Sequence, residues 1–390
     1  MTSAERAPVR MAHLGLGAFH RAHQAWYTQV ANHAGGEQWG ISAFTGRRPD
    51  AATALAAQDC RYDLVVRGPE ADAVEPIDSL VAAHDGADAG TWRAALASVA
   101  VLTVTITEAG YRPGAPAIDR IVDGLRSRRD AESGPLAIVS CDNLNGNGAL
   151  LGGLVVGAAD ATLAAWIREN VSFVSSVVDR ITPAVADALP IEVTDDPCAV
   201  VTEPASSWIL AGDFPAGRPT WEHAGARVVA DIAPYEQQKL WLLNAGHSLL
   251  ANLGQLRGHA SVAEAMTDEV CRAALDDLWD DAAAVLPFSA TEIADQRAVI
   301  TQRFENARIR HALSQIAADS DIKLGVRVVP VIQERLGRGL DAGAGEVRAL
   351  AAWASVDGLD PDDVVRRHPA LAPVRRELEQ AMTELNGVHA

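Results

Sequence analysis

The sequence predicts an α/β protein in which a doubly wound, mostly parallel sheet domain precedes a mostly α-helical domain. Up to about residue 150, short apolar or β-branched segments alternate with helical patterns. Such alternation is typical of a parallel sheet covered by helices on both faces. After Pro234 nearly every segment has a helical pattern. Because a length of 390 residues also favours two domains, we predict them over residues 1–233 and 234–390.

The individual elements follow from local pattern. Apolar or alternating β-branched segments predict strands over residues 11–14, 39–44, 62–66, 101–107 and 136–140. Helices are predicted between them over residues 19–32 and 51–57, in a segment ending at 94–97, and over 118–129. A strand over residues 202–210 could belong to either domain. In the second domain, helices are predicted over residues 235–253, 261–286, 291–305, 308–318, 347–355 and 372–385.

The charge and the cysteines exclude several classes of protein. A net charge of −18 argues against binding to nucleic acid or to anionic membrane surfaces. The longest apolar runs, such as residues 149–159, are too short to span a bilayer. The N-terminal residues lack the apolar stretch of a signal peptide. The four cysteines are widely and irregularly spaced, so we expect a reduced, cytoplasmic protein without a metal site.

A glycine-rich turn follows the first predicted strand. Gly15 and Gly17 stand where glycines let the backbone approach a pyrophosphate at the start of a helix. The third glycine of the usual fingerprint is missing, and His20 stands near its place. The turn predicts a dinucleotide-binding site, with an ordinary tight turn as the alternative.

Polar residues follow three further strands. Arg47 and Arg48 stand where an acidic residue would bind the ribose of NAD and an arginine would accommodate the 2′-phosphate of NADP. Their presence leans toward NADP, although both could be solvated loop residues. Thr107, Glu108 and Asn143 follow two later strands. Ligands bind at the carboxyl ends of such strands, so these residues are candidates, with ordinary polar turns as the alternative.

Only two of the 33 basic residues are lysines, Lys239 and Lys323. Arginine stays protonated, whereas a buried lysine can lose its proton. Four polar residues of one α-helix would lie within an arc of about 140° and a length of about 17 Å: Glu236, Lys239, Asn244 and His247. Because apolar residues surround this helix, we expect it to be buried and Lys239 to be suited to general-base chemistry. A structural lysine–glutamate pair is the alternative.

Motifs in a fixed order cover most of the chain, from about residue 13 to residue 327. They comprise residues 15–24, 107–111, 140–144, 178–183 and 202–204, a Lys-x4-Asn-x2-His pattern starting at Lys239, residues 303–306 and 315–317, and Lys323. With these motifs the sequence resembles the mannitol dehydrogenase family of polyol-specific long-chain dehydrogenases and reductases. That family also includes fructuronate (mannonate) reductases and arabinitol dehydrogenases.

The resemblance implies a Rossmann-type dinucleotide-binding domain and a helical substrate-binding domain. It implies metal-free hydride transfer between NAD or NADP and a polyol, ketose or sugar acid, in a monomer or low-order homo-oligomer. Lys239 resembles the general base, and Asn143 and Asn244 resemble the pair that holds the developing oxyanion. His247 resembles a substrate-positioning residue, and Glu236 one that gates proton exit.

Together, the glycine turn and the strand ends predict the cofactor contacts Gly15, Gly17, Phe19, His20, Arg47, Arg48, Thr107 and Glu108. The resemblance implies further contacts of Asp179 and Lys323 with the substrate. The chain departs from the family pattern in a short connection after Tyr111, and in Ala109, Gln315 and Gly325. The substrate therefore stays open between the mannitol/fructose type and the fructuronate/mannonate type. A catalytically inactive nucleotide-binding relative is the alternative from a different class.

Overall fold

The computed structural model describes residues 6–183 and 194–387. The chain divides into two compact units, Met1–Ala233 and Pro234–Ala390. The strands of the first unit are β1 (Val9–Leu14), β2 (Gly40–Phe44), β3 (Tyr62–Arg67), β4 (Asp72–Ile77), β5 (Leu80–His84), β6 (Val101–Val104), β7 (Leu136–Ser140), β8 (Val171–Asp179), β9 (Val200–Thr202), β10 (Ser207–Ala211) and β11 (Arg227–Val228). Its helices are α1 (Ala18–Ala22), α2 (Gln24–His33), α3 (Asp50–Ala57), α4 (Ala89–Ser98), α5 (Pro116–Asp130), α6 (Asn147–Ala158) and α7 (Ala161–Asn170).

The main sheet has eight strands in the order β11-β10-β8-β7-β6-β1-β2-β5. The six strands from β8 to β5 are parallel, and β10 pairs with β8 in the antiparallel direction. From β1 the chain winds to β2 and β5 on one side, then returns to β6, β7 and β8 on the other. The direction of winding thus reverses between β1 and β6, which confirms the predicted doubly wound fold.

The buried strands supply an apolar core to each face of this sheet. Successive residues of β1 alternate, with Met11 in one core cluster and Ala12 in the other. The same alternation separates Val101 from Leu102 in β6. Since side chains on a strand point to opposite faces in turn, buried apolar residues at successive positions require cover on both faces of the sheet.

A second sheet of three strands, in the order β4-β3-β9, lies outside the main sheet. The predicted strand over residues 62–66 is β3, but it belongs to this smaller sheet. The single strand predicted over residues 202–210 is wrong: β9 ends at Thr202, and β10 begins at Ser207 in the main sheet. Pro204 lies between them and has no N–H to donate to a ladder, which accounts for the interruption.

The second unit is built from helices. They are α8 (Ala233–Gln238), a π-helical turn (Lys239–Asn244), α9 (Ala245–Leu256), α10 (Val262–Met266), α11 (Glu269–Ala283), α12 (Ala290–Glu305), α13 (Leu313–Ala317), α14 (Ser320–Arg327), α15 (Val329–Gly337), α16 (Ala344–Asp357), α17 (Pro361–Arg367) and α18 (Arg375–Gly387). Helices α9, α11 and α16 pack together and contribute many residues to one apolar core. Among the described residues, no helix combines the length and apolar character needed to cross a membrane.

Two predicted helices of this unit differ from the structure. The helix over residues 261–286 is divided, because the Asp268 carboxylate accepts a hydrogen bond of 2.9 Å from the N–H of Val270 and caps the start of α11. The helix over residues 308–318 starts only at Leu313. Residues 307–309 form a turn and a bend, and Ala312 then makes an isolated bridge with Ser261.

Candidate active site

Most of the predicted cofactor and substrate residues of the first unit follow the carboxyl ends of parallel strands. Gly15 follows β1, Arg47 and Arg48 follow β2, Thr107 and Glu108 follow β6, Asn143 follows β7, and Asp179 ends β8. Because these strands are parallel, their carboxyl ends lie along the same edge of the sheet. This edge contains the reversal between β1 and β6, where doubly wound proteins bind their ligands.

The glycine turn after β1 requires a glycine at its first position. Gly15 has a φ of +111°, and a Cβ there would lie 2.0 Å from the carbonyl oxygen of Thr105. The N–H groups of Gly15 and Leu16 both donate to the carbonyl of Phe44 at 2.9 Å, which fixes the turn against β2. A Cβ on Gly17 would meet only the carbonyl oxygen of Gly15, at 3.6 Å. Gly17 thus leaves open space in front of α1.

His20, predicted to contact the cofactor, points into the domain. Its ring is fully buried and stacks on that of His13, with centroids 3.4 Å apart. His13 in turn lies within hydrogen-bond distance of the hydroxyls of Thr103 and Thr105, at 2.8 Å and 3.0 Å. Burial lowers the pKa of both histidines. The His20 imidazole therefore packs inside the domain, and a contact between His20 and the cofactor stays a prediction.

Phe19 and Asp179 are partly exposed, and the arginine next to Asp179 is buried. The ring of Phe19 stacks on that of His23 at 5.0 Å. Arg180 donates to the carbonyl of Ala22 at 2.7 Å and lies over the ring of Trp26 at 4.4 Å. The carboxyl end of β8 is thus joined to the end of α1.

A buried carboxylate holds the loop after β6. Asp142 accepts hydrogen bonds from the N–H groups of Ile106 and Thr107, at 3.0 Å and 2.8 Å, and one from the hydroxyl of Tyr111 at 2.9 Å. Burial raises the pKa of Asp142, and these hydrogen bonds oppose that shift. Thr107 has a φ of +63°, which is strained for a branched residue, and its side chain is exposed. Asp142 therefore fixes the backbone that presents Thr107 and Glu108.

Replacing Asp142 with asparagine should lower the free energy of unfolding by about 1–3 kcal/mol, because one amide hydrogen-bond donor would then face a backbone N–H. Chemical denaturation of the wild type and the variant would measure this difference. Tyr111→Phe is the matched control, because it removes one donor from the carboxylate and leaves both N–H contacts, so its effect should be smaller. Equal stability of Asp142→Asn and the wild type would show that the carboxylate does not hold the loop.

The asparagines after β7 have different environments. Asn143 is exposed, whereas the side chain of Asn147 is buried. Asn147 donates to the carbonyls of Asp142 and Ser176, both at 2.8 Å, and accepts from the N–H of Ser176 at 3.0 Å. It ties the loop that carries Asn143 to β8. The sequence analysis missed this residue, because spacing alone does not tell which asparagine of the loop points inward.

Arg47 and Arg48 are both exposed. An ion pair of 3.5 Å joins Arg48 to the exposed Asp50. Ion pairs between exposed groups contribute little to stability and are screened by salt. Both guanidinium groups are thus accessible to an anionic ligand.

In the second unit, the four predicted catalytic residues lie on one continuous helical segment. Glu236, Lys239, Asn244 and His247 are all half-buried. The segment is not the uniformly buried α-helix that the sequence predicted. Lys239–Asn244 form a π turn, in which the N–H of Ala245 donates to the carbonyl of Leu240. In an α-helix, Lys239 and Asn244 would be about 140° apart around the helix axis. Hydrogen bonds between residues five apart bring the two residues closer to one face of the segment.

Two aromatic rings lie beside His247. Its ring lies 4.5 Å from the ring of Phe304 and 5.6 Å from that of His311. Burial, with the nearby positive charge of Arg303, lowers the pKa of His311 to about 4. His311 is therefore neutral at physiological pH, and the positively charged Arg303 lies near it.

Lys323 is engaged in a structural contact. Its ammonium donates to the carbonyl of Ile316 at 3.0 Å and to that of Ala318, at the end of α13. Burial, with the charge of Arg327, lowers its pKa. These hydrogen bonds connect α14 to α13, and a contact between Lys323 and a substrate stays a prediction.

One group of potential metal ligands occurs among the described residues. Ligand atoms of His259, Asp268 and Cys271 lie within 4.8 Å of one another. Arg257 donates to the same oxygen of Asp268 that His259 contacts, and burial raises the pKa of the Cys271 thiol to about 11. A guanidinium already lies at the Asp268 carboxylate where a cation would bind, which argues against a metal ion at this group.

Comparisons with known proteins agree with this architecture. Residues 9–223 match the mannitol dehydrogenase Rossmann domain, and residues 231–355 match the mannitol dehydrogenase C-terminal domain. The chain is 34% identical to D-mannonate oxidoreductase of Escherichia coli (strain K12) over 86% of its own length and 77% of that protein. It is 36% identical to D-arabinitol 4-dehydrogenase of Ralstonia nicotianae, over 87% and 81% of the two chains.

A solved structure of a relative extends the likeness to three dimensions. The ternary complex of Pseudomonas fluorescens mannitol 2-dehydrogenase with NAD and D-mannitol aligns with a TM-score of 0.79 and 29% identity. The alignment covers 98% of this chain and 92% of that one. Both domains of the family thus follow each other along this sequence, and the chain belongs to the mannitol dehydrogenase family.

Proposed function

We propose that the protein is an NAD(P)-dependent oxidoreductase that interconverts a secondary alcohol of a polyol or sugar acid with the corresponding ketone. Lys239 is the proposed general base, and no metal takes part. The observation that carries this proposal is the π turn, which has Lys239 at one end and Asn244 at the other. An amine and an amide N–H donor on one half-buried face are the groups that alcohol oxidation needs.

The strand edge of the first unit fits a nicotinamide dinucleotide. The open space at Gly17, between the glycine turn and the start of α1, suits a pyrophosphate. When bound, the cofactor accepts or donates the hydride. NAD is the cofactor in the solved mannitol 2-dehydrogenase complex, whereas the exposed Arg47 and Arg48 favour the additional phosphate of NADP. Both NAD and NADP are therefore candidate cofactors.

The proposed chemistry assigns a role to each polar residue of the helical segment. In oxidation, Lys239 takes the hydroxyl proton while the carbon gives up its hydrogen and two electrons as hydride. Negative charge develops on the oxygen, and amide N–H groups of Asn143 and Asn244 donate hydrogen bonds to it. His247 orients the substrate hydroxyls. Glu236, one turn before Lys239, passes the proton on to solvent.

A sugar acid is the second candidate substrate. The positive charge of Arg303 acts on His311, whose ring lies 5.6 Å from that of His247. A cation near the proposed substrate-positioning residue would attract a carboxylate. The identity of 34% with D-mannonate oxidoreductase supports this candidate, and the solved mannitol complex supports a neutral polyol.

A substrate panel separates these possibilities. Initial rates of NADH and NADPH oxidation are measured with fructose, fructuronate, tagaturonate and xylulose. Turnover of a neutral ketose alone supports the polyol reaction, and turnover of a uronate alone supports the sugar-acid reaction. If either cofactor binds but no compound is reduced, the proposal fails for these substrates, and the inactive nucleotide-binding relative becomes the leading interpretation.

A further inference from the structure

The helical segment that carries Lys239 deviates from an α-helix, and two side chains from other helices contact the part that deviates. Resting on the proposed function, we infer that Trp279 of α11 and Arg327 of α14 are positioning residues. They hold Lys239–Asn244 in its π form and so keep Lys239 and Asn244 on one face. Neither residue contacts the reacting atoms in this proposal, and both act through the backbone of the turn.

Two backbone carbonyls near the end of the π turn accept hydrogen bonds from these side chains. The indole N–H of Trp279 donates to the carbonyl of Leu242 at 3.0 Å. The guanidinium of Arg327 donates to the carbonyl of Asn244 at 3.2 Å and to the hydroxyl of Ser248 at 2.9 Å. Trp279 is buried and Arg327 is half-buried. Side-chain donors from two other helices thus meet at one turn.

These donors act where the regular helical ladder is disturbed. A π turn shifts the backbone hydrogen bond from four to five residues, as seen between Ala245 and Leu240. Side chains that insert beside such a turn are among the recognised causes of helix distortion. Burial lowers the pKa of Arg327 to about 10, so it remains a cation at physiological pH. Its hydrogen bonds are therefore charge-assisted and stronger than neutral ones.

The turn determines where Lys239 lies relative to the residues after it. If the π turn relaxed to α geometry, the preceding residues would rotate by about 100° and shift by about 1.5 Å relative to α9. Lys239 would then leave the face that carries Asn244. Misplacement of a reacting group by about 1 Å can cost about 100-fold in rate. Substitutions at Trp279 and Arg327 should therefore lower the rate of the chemical step.

The test compares Arg327→Met, Arg327→Lys and Trp279→Phe with the wild type in steady-state kinetics. We expect Arg327→Met and Trp279→Phe to lower kcat by about 10–100-fold. KM for the nicotinamide, which the first unit is proposed to bind, should stay unchanged. Arg327→Lys keeps one charged donor and should recover part of the rate. The double variant should lose little more than the worse single variant, because both side chains act on the same turn.

Matched controls exist in the same unit. Arg338 donates to the carbonyl of Val285 at 2.9 Å, and the indole of Trp353 donates to Asp357 at 2.7 Å. Neither contact involves the π turn. Arg338→Met and Trp353→Phe should therefore keep the wild-type kcat. An equal loss in these controls would mean that the kcat effect reflects general destabilisation, and it would overturn the inference.

Crystal structures of Arg327→Met and Trp279→Phe provide a measurement that does not depend on activity. We expect the N–H of Ala245 to bond to the carbonyl of Trp241, four residues back, in place of Leu240. A π turn that persists in both variants overturns the inference, even where kcat has fallen. If the wild type reduces no ketose or uronate, the proposed function fails, whereas the two crystal structures still decide whether these side chains hold the turn.

Discussion

Replacing Lys239 with methionine should lower kcat for alcohol oxidation by about 10²–10⁴-fold, the contribution typical of a positioned general base. Methionine has nearly the length of lysine and lacks the amine, so it suits a position that is half-buried. Steady-state kinetics in both directions measure the effect. KM for the nicotinamide should change little, because the strand edge that is proposed to bind it lies in the other unit.

The pH dependence distinguishes a base from a residue that only packs. Oxidation needs a neutral lysine and reduction a charged one, so the oxidation rate should rise with pH and the reduction rate should fall with it. Both dependences should disappear in Lys239→Met. Lys239→Arg should be as inactive as Lys239→Met, because a guanidinium does not give up its proton. In Lys239→Ala, which leaves space at this position, added methylamine should restore part of the rate. Unchanged pH profiles in Lys239→Met would exclude Lys239 as the base.

The sequence predicted the doubly wound fold because its signals are local and repeated. Several strands of the main sheet have mostly apolar residues on both faces, as in the Val-Leu-Thr-Val sequence of Val101–Val104, and such runs require a sheet covered on both faces. The glycine turn could also be predicted from the sequence, because a φ of +111° at Gly15 strongly favours glycine. The sequence could not predict that β3 belongs to a separate sheet, because strands that pair across a long sequence separation leave no local pattern.

The candidate site was predicted less completely, for two physical reasons. The pattern of residues 236–247 fits an α-helix, and the π turn at Lys239–Asn244 depends on donors from Trp279 and Arg327, which lie 35 or more residues away. The direction of a polar side chain at a turn is also set by tertiary packing. His20 therefore packs on His13 inside the domain, although its place in the glycine motif suggested a cofactor contact.

Replacing Asn244 with alanine should lower kcat by about 10²–10³-fold, the typical cost of removing one donor from an oxyanion site. The backbone carbonyl of Asn244 would keep its hydrogen bond with Arg327, so the substitution removes only the side-chain donor. Asn143→Ala should have a similar effect, and the double variant should lose less than the product of the two. Asn145→Ala is the control, because that exposed residue lies in the same loop as Asn143.

Whether Asn244→Ala changes kcat or KM shows which role Asn244 has. A donor to the developing alkoxide acts only in the transition state, so kcat and kcat/KM should fall equally. Asn244→Asp should be at least as slow, because a carboxylate would face the negative oxygen without a proton to donate. A rise in KM with an unchanged kcat would instead mean that Asn244 binds substrate and transition state alike. The developing charge would then have to be stabilised by Asn143 and by the ammonium that forms on Lys239.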